Sequence, residues 1–358
     1  MASTAWHSAA LPIEEASTPP SSWYTTPEVL EREVAQVFTQ HWVCVGHLGG
    51  LESPGSFQSG TYLDMPWVVT RADDGQLRAF HNVCQHHAAA VATGSGCAQV
   101  LRCSYHGWEY GLNGRLRKAP GADGIRSFHA DQIALQPIGV AMLGHLCFLH
   151  FGSERGSLQD QLGDDQLQDM AAAGIMDAGL RHVATRNYSL KCNWKVFADN
   201  YLDGGYHVPV AHPDLAAALD LTTYSSKIYR TSSVQSCRAK GTPEARLGDR
   251  EAAYAFLYPN LMVNRYGPWM DTNIVTPTGP ESCIVRFDWW LEEHLCHDSA
   301  LTEQSLADSE QVQQEDIALC EAVQRGLRSP AYDSGRYAPQ FEEPMFHFHK
   351  LLHADLNR

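Results

Sequence analysis

The sequence predicts an α+β fold in two parts: an all-β N-terminal domain, then a larger domain that mixes an antiparallel sheet with helices. Three features carry this expectation. Between Trp42 and Phe151, short apolar runs of strand length alternate with turn signals, among them Trp42–Gly46, Trp67–Arg71 and Leu77–Asn82. Strand-like runs return at Met262–Arg265, Thr272–Pro277 and Cys283–Leu291. A long helical stretch follows, Leu301–Leu327, with an apolar stripe at Leu306, Val312, Leu319 and Val323. Inside the β part lie two short Cys/His pairs, Cys84-Gln85-His86 and Cys103-Ser104-Tyr105-His106, with sixteen residues between them.

Taken in order, residues 1–22 are Ala/Ser/Pro-rich, end in Pro19-Pro20-Ser21-Ser22, and read as a flexible tail. A helical segment over 23–41 comes next. Thr26 suits its N-cap and Pro27 its first helical position, and Leu30, Val34, Val37 and Phe38 recur on one face. The β domain spans 42–151, with Asp73-Asp74-Gly75 and Asn113-Gly114 as tight turns and Leu146–Phe151 as its last strand. Residues 152–180 are Gln/Asp-rich with Leu and Met at helical spacing, a helical connection into the second domain, 152–358, where Arg181–Leu190 alternates as a strand.

The chain has 358 residues, is 44% hydrophobic and 19% charged, and carries a formal charge of −15. That is ordinary globular composition, and the acidic balance argues against nonspecific nucleic-acid binding, which needs basic surface. Ten cysteines scattered over this length suit a reducing compartment better than a disulfide scaffold. No apolar run reaches the length of a membrane span. The first 22 residues contain neither Arg nor Lys, so they read as neither signal nor transit peptide, and the expected compartment is the cytoplasm.

Two thiolates and two imidazoles in short pairs make a metal site. Structural zinc accepts two Cys and two His; a Rieske [2Fe–2S] cluster holds one iron by two Cys and the other by two His. The mixing of Cys with His in each pair, and the sequence His106-Gly107-Trp108, favour the cluster, since zinc fingers group Cys with Cys and His with His.

A second dense stretch runs from Cys192 to Pro213 and holds His207 and His212. Five residues apart on a regular helix, the two rings would be separated by about 140°. Pro209 disfavours a regular helix there, and a broken one can bring both rings to one ion. Two His with one carboxylate form the facial triad of non-haem Fe(II) oxygenases. Asp316 is the candidate carboxylate. Its helical neighbours Val312, Leu319, Cys320 and Val323 place it within the apolar stripe, where a carboxylate is costly unless it meets a cation.

With these motifs the chain resembles the Rieske non-haem iron oxygenases of the ring-hydroxylating alpha-subunit type, and within them the plant-type choline monooxygenases. The resemblance runs from about Trp23 to the C-terminus and rests on Cys84–Trp108, Cys192–Pro213, Tyr258–Asn273 and Gln314–Arg336. It implies a [2Fe–2S] cluster on Cys84, His86, Cys103 and His106, and Fe(II) on His207, His212 and Asp316, with Glu315 as the alternative to Asp316. It also implies a catalytic role for Asp203, linking the cluster of one subunit to the iron of its neighbour in a homotrimer. Orienting His207 is the plainer role for Asp203, and the two are compatible. Asn200 and Asp199 are further outer-shell candidates. One departure is His87, where the family usually has Arg; it leaves the cluster potential open.

The resemblance further implies hydroxylation of choline to betaine aldehyde hydrate with O2 and electrons from reduced ferredoxin or a reductase, and the plastid stroma as the alternative compartment if a targeting segment has been removed. Quaternary ammonium groups are held by aromatic faces. Tyr206, Tyr258, Tyr266, Trp269, Trp289 and Trp290 are candidates, with Asp271 adding charge; core packing is the competing role for these aromatics. Arg115, Arg117 and Lys118 either dock an acidic electron donor or form an ordinary solvated turn. The alternatives are N-demethylation of another quaternary amine, such as a betaine or carnitine, and a Rieske electron carrier without a mononuclear site.

Overall fold

Short strands and turn residues build one unit, Cys44–Arg155, of the computed structural model. Residues 6–153, 156–175, 177–242, 247–248 and 251–358 are described. The strands of this unit are β1 (Val43–His47), β2 (Ser56–Tyr62), β3 (Met65–Arg71), β4 (Leu77–His81), β5 (Ser95–Cys97), β6 (Val100–Arg102), β7 (Glu109–Gly111), β8 (Leu116–Lys118), β9 (Pro137–Leu143) and β10 (Leu146–His150). They form one sheet in the order β1-β10-β9-β4-β3-β2-β5 and a smaller one, β6-β7-β8. The turn at Asp73-Asp74-Gly75 sets β3 against β4 with Arg71 opposite Leu77, and Asn113-Gly114 separates β7 from β8. Val68, Phe80, Leu101, Trp108 and Tyr110 pack into a core that also takes in Cys84 and Cys103, each 2% exposed.

The other unit comprises Met1–Val43 and Gly156–Arg358. It contains α1 (Ser22–Thr25), α2 (Pro27–Glu33), α3 (Leu158–Leu162), α4 (Asp164–Ala172), α5 (Trp194–Tyr201), α6 (Val208–Ala211), α7 (Pro213–Ala218), α8 (Ser299–Leu327) and α9 (Glu343–Leu356). Its strands are β11 (Leu180–Leu190), β12 (Leu219–Tyr229), β13 (Ser232–Ala239), β14 (Glu251–Leu257), β15 (Leu261–Tyr266), β16 (Trp269–Gly279) and β17 (Ser282–Glu292). They run β11-β17-β16-β15-β14-β13-β12, with every neighbouring pair antiparallel. Consecutive hairpins from β12 to β17 make a meander, and β11 adds to its far edge. The fold is therefore α+β, an all-β unit and a unit of antiparallel sheet with helices. Among the described residues no helix is long and apolar enough to cross a membrane.

Local signals set the helix starts. Asn193 caps α5 by accepting from Lys195 N–H, and Asp298 caps α8 by accepting from Leu301 N–H. Pro27 opens α2 behind Thr26. The helix then widens into a π turn over Val34–Phe38. Its buried face is Val29, Glu33, Val37 and Phe38, shifted from the expected one. Glu33 is admitted because Lys195 Nζ and Trp194 Nε1 reach its carboxylate at 2.5 and 2.7 Å.

Two expectations need correction. The N-terminal segment is packed over residues 6–22, not a free tail; residues 1–5 lie outside the described residues. Trp6 is 5% exposed, donates from Nε1 to the Ser17 carbonyl at 2.8 Å, and lies edge-on to Trp23 and Phe346. A single large aromatic anchors a stretch whose average composition looks disordered. In α8, the expected stripe is offset: Leu319 and Val323 are 38% and 51% exposed, while Ser305, Ser309, Gln313, Cys320 and Gln324 are buried. Hydrogen bonds admit several of these polar groups, with Ser309 accepting from Trp289 Nε1 and Gln324 from Asn193 N–H. α9, unforeseen in the sequence, buries Phe346, Phe348, His349 and Leu352.

Candidate metal centres and substrate cavity

The two Cys/His pairs sit on loops of the same design. In one, Cys84 N–H donates to Ala89 O and Cys84 O accepts from Ala88 N–H; in the other, Cys103 N–H donates to Trp108 O and Cys103 O accepts from Gly107 N–H. The fifth residue of each loop takes a left-handed conformation, Ala88 at φ 62° and Gly107 at φ 73°. Glycine meets this need without strain; alanine there is uncommon. The loops bring His86 and His106 to 4.6 Å between ring centroids. Trp108 stacks on His86 at 4.7 Å. The Tyr110 hydroxyl accepts from Gln85 N–H at 3.0 Å, which leaves its proton for Cys84 Sγ at 3.4 Å. Hydrogen bonds to sulfur tune the potential of an iron–sulfur cluster. The donor set fits such a cluster: both thiols are in the core, and His86 Nδ1 is buried with no hydrogen-bond partner among the described residues. A single zinc would draw all four donors together. Among the described residues, however, only His207, His212 and Asp316 bring three donors within 4.8 Å of one another.

That second group is built by a broken helix. His207 is the N-cap of α6, and His212 ends it at φ −128°, before Pro213 opens α7. Both rings thereby face Asp316 on α8. His212 Nε2 lies 3.0 Å and His207 Nε2 3.7 Å from Asp316 Oδ1. The Nδ1 atoms point away to two other carboxylates, His207 to Asp203 and His212 to Glu315, each at 2.6 Å. This arrangement fixes the tautomer that leaves Nε2 free to bind a metal. Burial pulls the His212 pKa down, but Asp316 and Glu315 outweigh it and push the value up to about 9. Three carboxylates, Asp203, Glu315 and Asp316, thus surround the two rings, a charge balance suited to a divalent cation.

Asp203 reaches His207 because Gly204 and Gly205 both turn with positive φ. A Cβ at Gly204 would stand 2.1 Å from the Phe341 carbonyl oxygen. Asp203 also accepts from His207 N–H and Gly205 N–H. Asn200 donates to Asp316 Oδ1 at 2.8 Å. Asp199 lies in a separate network, accepting from the Tyr24 hydroxyl and lying 2.9 Å from His349 Nε2. Glu315, expected as the alternative ligand, instead holds the far side of His212. Its position next to Asp316 in the sequence was the one signal available for it.

A cavity of about 140 Å³ adjoins the triad. Its helical wall holds His207, His212, Asp316 and Gln313; its sheet wall holds Asn264, Tyr266, Asp271, Asn273 and Phe287, with Tyr201, Tyr224 and Tyr254 completing it. Asp271 is buried and accepts from Asn264 Nδ2 at 2.6 Å, Asn273 Nδ2 at 3.0 Å and the Tyr266 hydroxyl.

Of the expected substrate contacts, Tyr266 and Asp271 line this cavity and the others do not. Trp269 pairs across the strands with Tyr266 but is fully buried. Tyr258 is spent on Asp355 in the core. Tyr206 is 54% exposed and stacks on Phe341. Trp289 and Trp290 are core residues. Strand alternation shows which face a residue takes, not how deep it lies. Tyr201 on α5 and Tyr224 and Tyr254 on β12 and β14 escaped notice because they meet only in the folded chain. Arg115, Arg117 and Lys118 are exposed on and beside β8.

Comparison with known proteins agrees with both centres. The Rieske [2Fe–2S] domain model matches residues 41–129, and the ring-hydroxylating alpha-subunit catalytic-domain model matches 177–356. The chain belongs to the family of Rieske-type ring-hydroxylating alpha subunits, and is a Rieske-type oxygenase with a [2Fe–2S] cluster and a mononuclear iron as cofactors. It is 46% identical to the chloroplastic choline monooxygenase of Arabidopsis thaliana, over 97% of this chain and 84% of that one. Among solved structures, the quaternary ammonium Rieske monooxygenase CntA with an inhibitor bound superposes with a TM-score of 0.87 at 28% identity, covering 97% of both chains. The same enzyme bound to L-carnitine gives 0.85 at 26%, covering 99% of both chains.

Proposed function

We propose that the protein hydroxylates the carbinol carbon of choline, giving betaine aldehyde hydrate. The balance is one substrate C–H bond, one O2, two electrons and two protons consumed, with the hydrated aldehyde and one water formed. The observation that carries this reading is the polarity of the cavity. Aromatic faces and the Asp271 carboxylate line it, and neither lysine nor arginine is among the described residues that do. Such walls suit a cation. A zwitterion such as L-carnitine would bring a carboxylate to a wall without a matching charge.

Cys84, His86, Cys103 and His106 hold the cluster, and His207, His212 and Asp316 hold the iron, with the neighbouring Asp203 and Glu315 fixing the two rings. Bound there, the two groups supply single electrons and O2 activation. The chain itself orients the substrate and excludes water from the reacting carbon. Electrons come from reduced ferredoxin or a reductase, and Asp203 passes them between subunits of a head-to-tail homotrimer. A fully active monomer in solution would contradict that route.

Choline turnover should exceed that of the neutral isostere 3,3-dimethylbutanol by about thirtyfold or more in kcat/KM. A desolvated cation contact is worth roughly 2 kcal/mol, and 1.4 kcal/mol is tenfold. Asp271→Asn, which keeps the shape and removes the charge, should shrink that ratio. Equal turnover of both compounds by the parent protein would place the cation elsewhere.

A further inference from the structure

Two polar atoms of residues on the helical and sheet walls of the cavity are buried and have no hydrogen-bond partner among the described residues: Gln313 Nε2 and Asn264 Oδ1. A buried amide group left unsatisfied is destabilising, so such a pair on residues lining one cavity points to a ligand. The Asn264 orientation is fixed by its neighbours. Its NH2 donates to the Asp271 carboxylate, which only accepts, and to Asn273 Oδ1 at 3.2 Å. Its carbonyl oxygen is the atom left over. Gln313 is 3% exposed and lies on α8 three residues before Asp316, which on a helix puts the two side chains on the same face.

The cavity is therefore polarised. The helical wall carries the iron triad and an amide donor beside it. The sheet wall carries Asp271, the Tyr266 ring and an amide oxygen, all suited to positive charge.

We propose that Gln313 positions the substrate by donating from Nε2 to its hydroxyl oxygen, while Asn264 Oδ1 and Asp271 receive the ammonium end. This rests on the choline reading above and deepens it. The substrate spans the cavity head to tail, so the carbinol CH2, and not an N-methyl group, faces the iron. Gln313 thereby determines both the preference for a hydroxylated quaternary amine and the site of attack.

The test compares choline with ethyltrimethylammonium, which has hydrogen in place of the hydroxyl. Gln313→Met keeps the length of the side chain and removes the donor. In iron-loaded, cluster-containing protein, it should lower the choline to ethyltrimethylammonium ratio of kcat/KM by about tenfold, the size of one hydrogen bond at the upper end of its usual range. It should also raise the share of formaldehyde formed from choline, because the substrate can then turn its methyl groups toward the iron. Gln313→Glu, which when ionised cannot donate, should shift the ratio in the same direction and guards against a folding defect in the first variant. A ratio unchanged in both variants, or an equal fall for both substrates, overturns the assignment of Gln313 and leaves choline as the substrate. Absence of choline-dependent O2 uptake in the parent protein overturns the choline reading, and this inference with it.

Discussion

Asp316→Ala is expected to give a protein that keeps its red-brown iron–sulfur absorption and loses both mononuclear iron and substrate turnover. The reason is geometric. Asp316 Oδ1 is the point on which both Nε2 atoms converge, and without it two neutral imidazoles remain to hold a divalent ion. Loss of an outer hydrogen-bond partner typically costs ~10–100-fold in metal affinity, and loss of the only carboxylate ligand should exceed that. Iron analysis on the desalted variant, with its visible spectrum as internal control, reads both halves of the expectation. Full iron content with full turnover would move the third ligand to Glu315, against the 2.6 Å contact that occupies it with His212.

Cys84→Ser should have the complementary effect. The cluster, its colour and its Rieske-type EPR signal after dithionite should all be lost, while the His207–His212–Asp316 site still binds one iron. The two donor sets belong to separate units of the chain, Cys44–Arg155 and the remainder, so neither depends on the other for its local scaffold. Turnover should fall to background, since two electrons are needed for each O2. A colourless parent protein with one zinc per chain, or a serine variant that keeps the signal, would remove the cluster from Cys84.

Much of the site was legible because its information is local. Cys84 with His86 and Cys103 with His106 are each confined to one loop, and His207 and His212 flank one short helical turn that carries Pro209 in its first turn and ends before Pro213. Asp316 was singled out over Glu315 by the family resemblance and not by its helix neighbours, since Leu319 and Val323 of the expected apolar stripe are exposed. What stayed hidden depends on depth and on facing partners. Neighbours on a helix diverge by about 100°, so Asp316 and Glu315 reach opposite sides of His212, and sequence alone could not say which did which. Trp269 and Tyr266 share a sheet face by cross-strand pairing, yet only Tyr266 reaches the cavity. The polar buried face of α8 and the Trp6 anchor were missed for a related reason: hydrogen bonding and one large ring override the averaged pattern of the segment.

The central claim, that the chain brings a choline carbinol to its iron, is tested most directly by product yield per O2 consumed. The parent protein, supplied with choline and reduced ferredoxin or another one-electron donor, should consume O2 only when choline is present. One betaine aldehyde should appear for each O2, with no formaldehyde. Formaldehyde in place of betaine aldehyde would make the protein an N-demethylase, and O2 consumption indifferent to choline would contradict the account altogether.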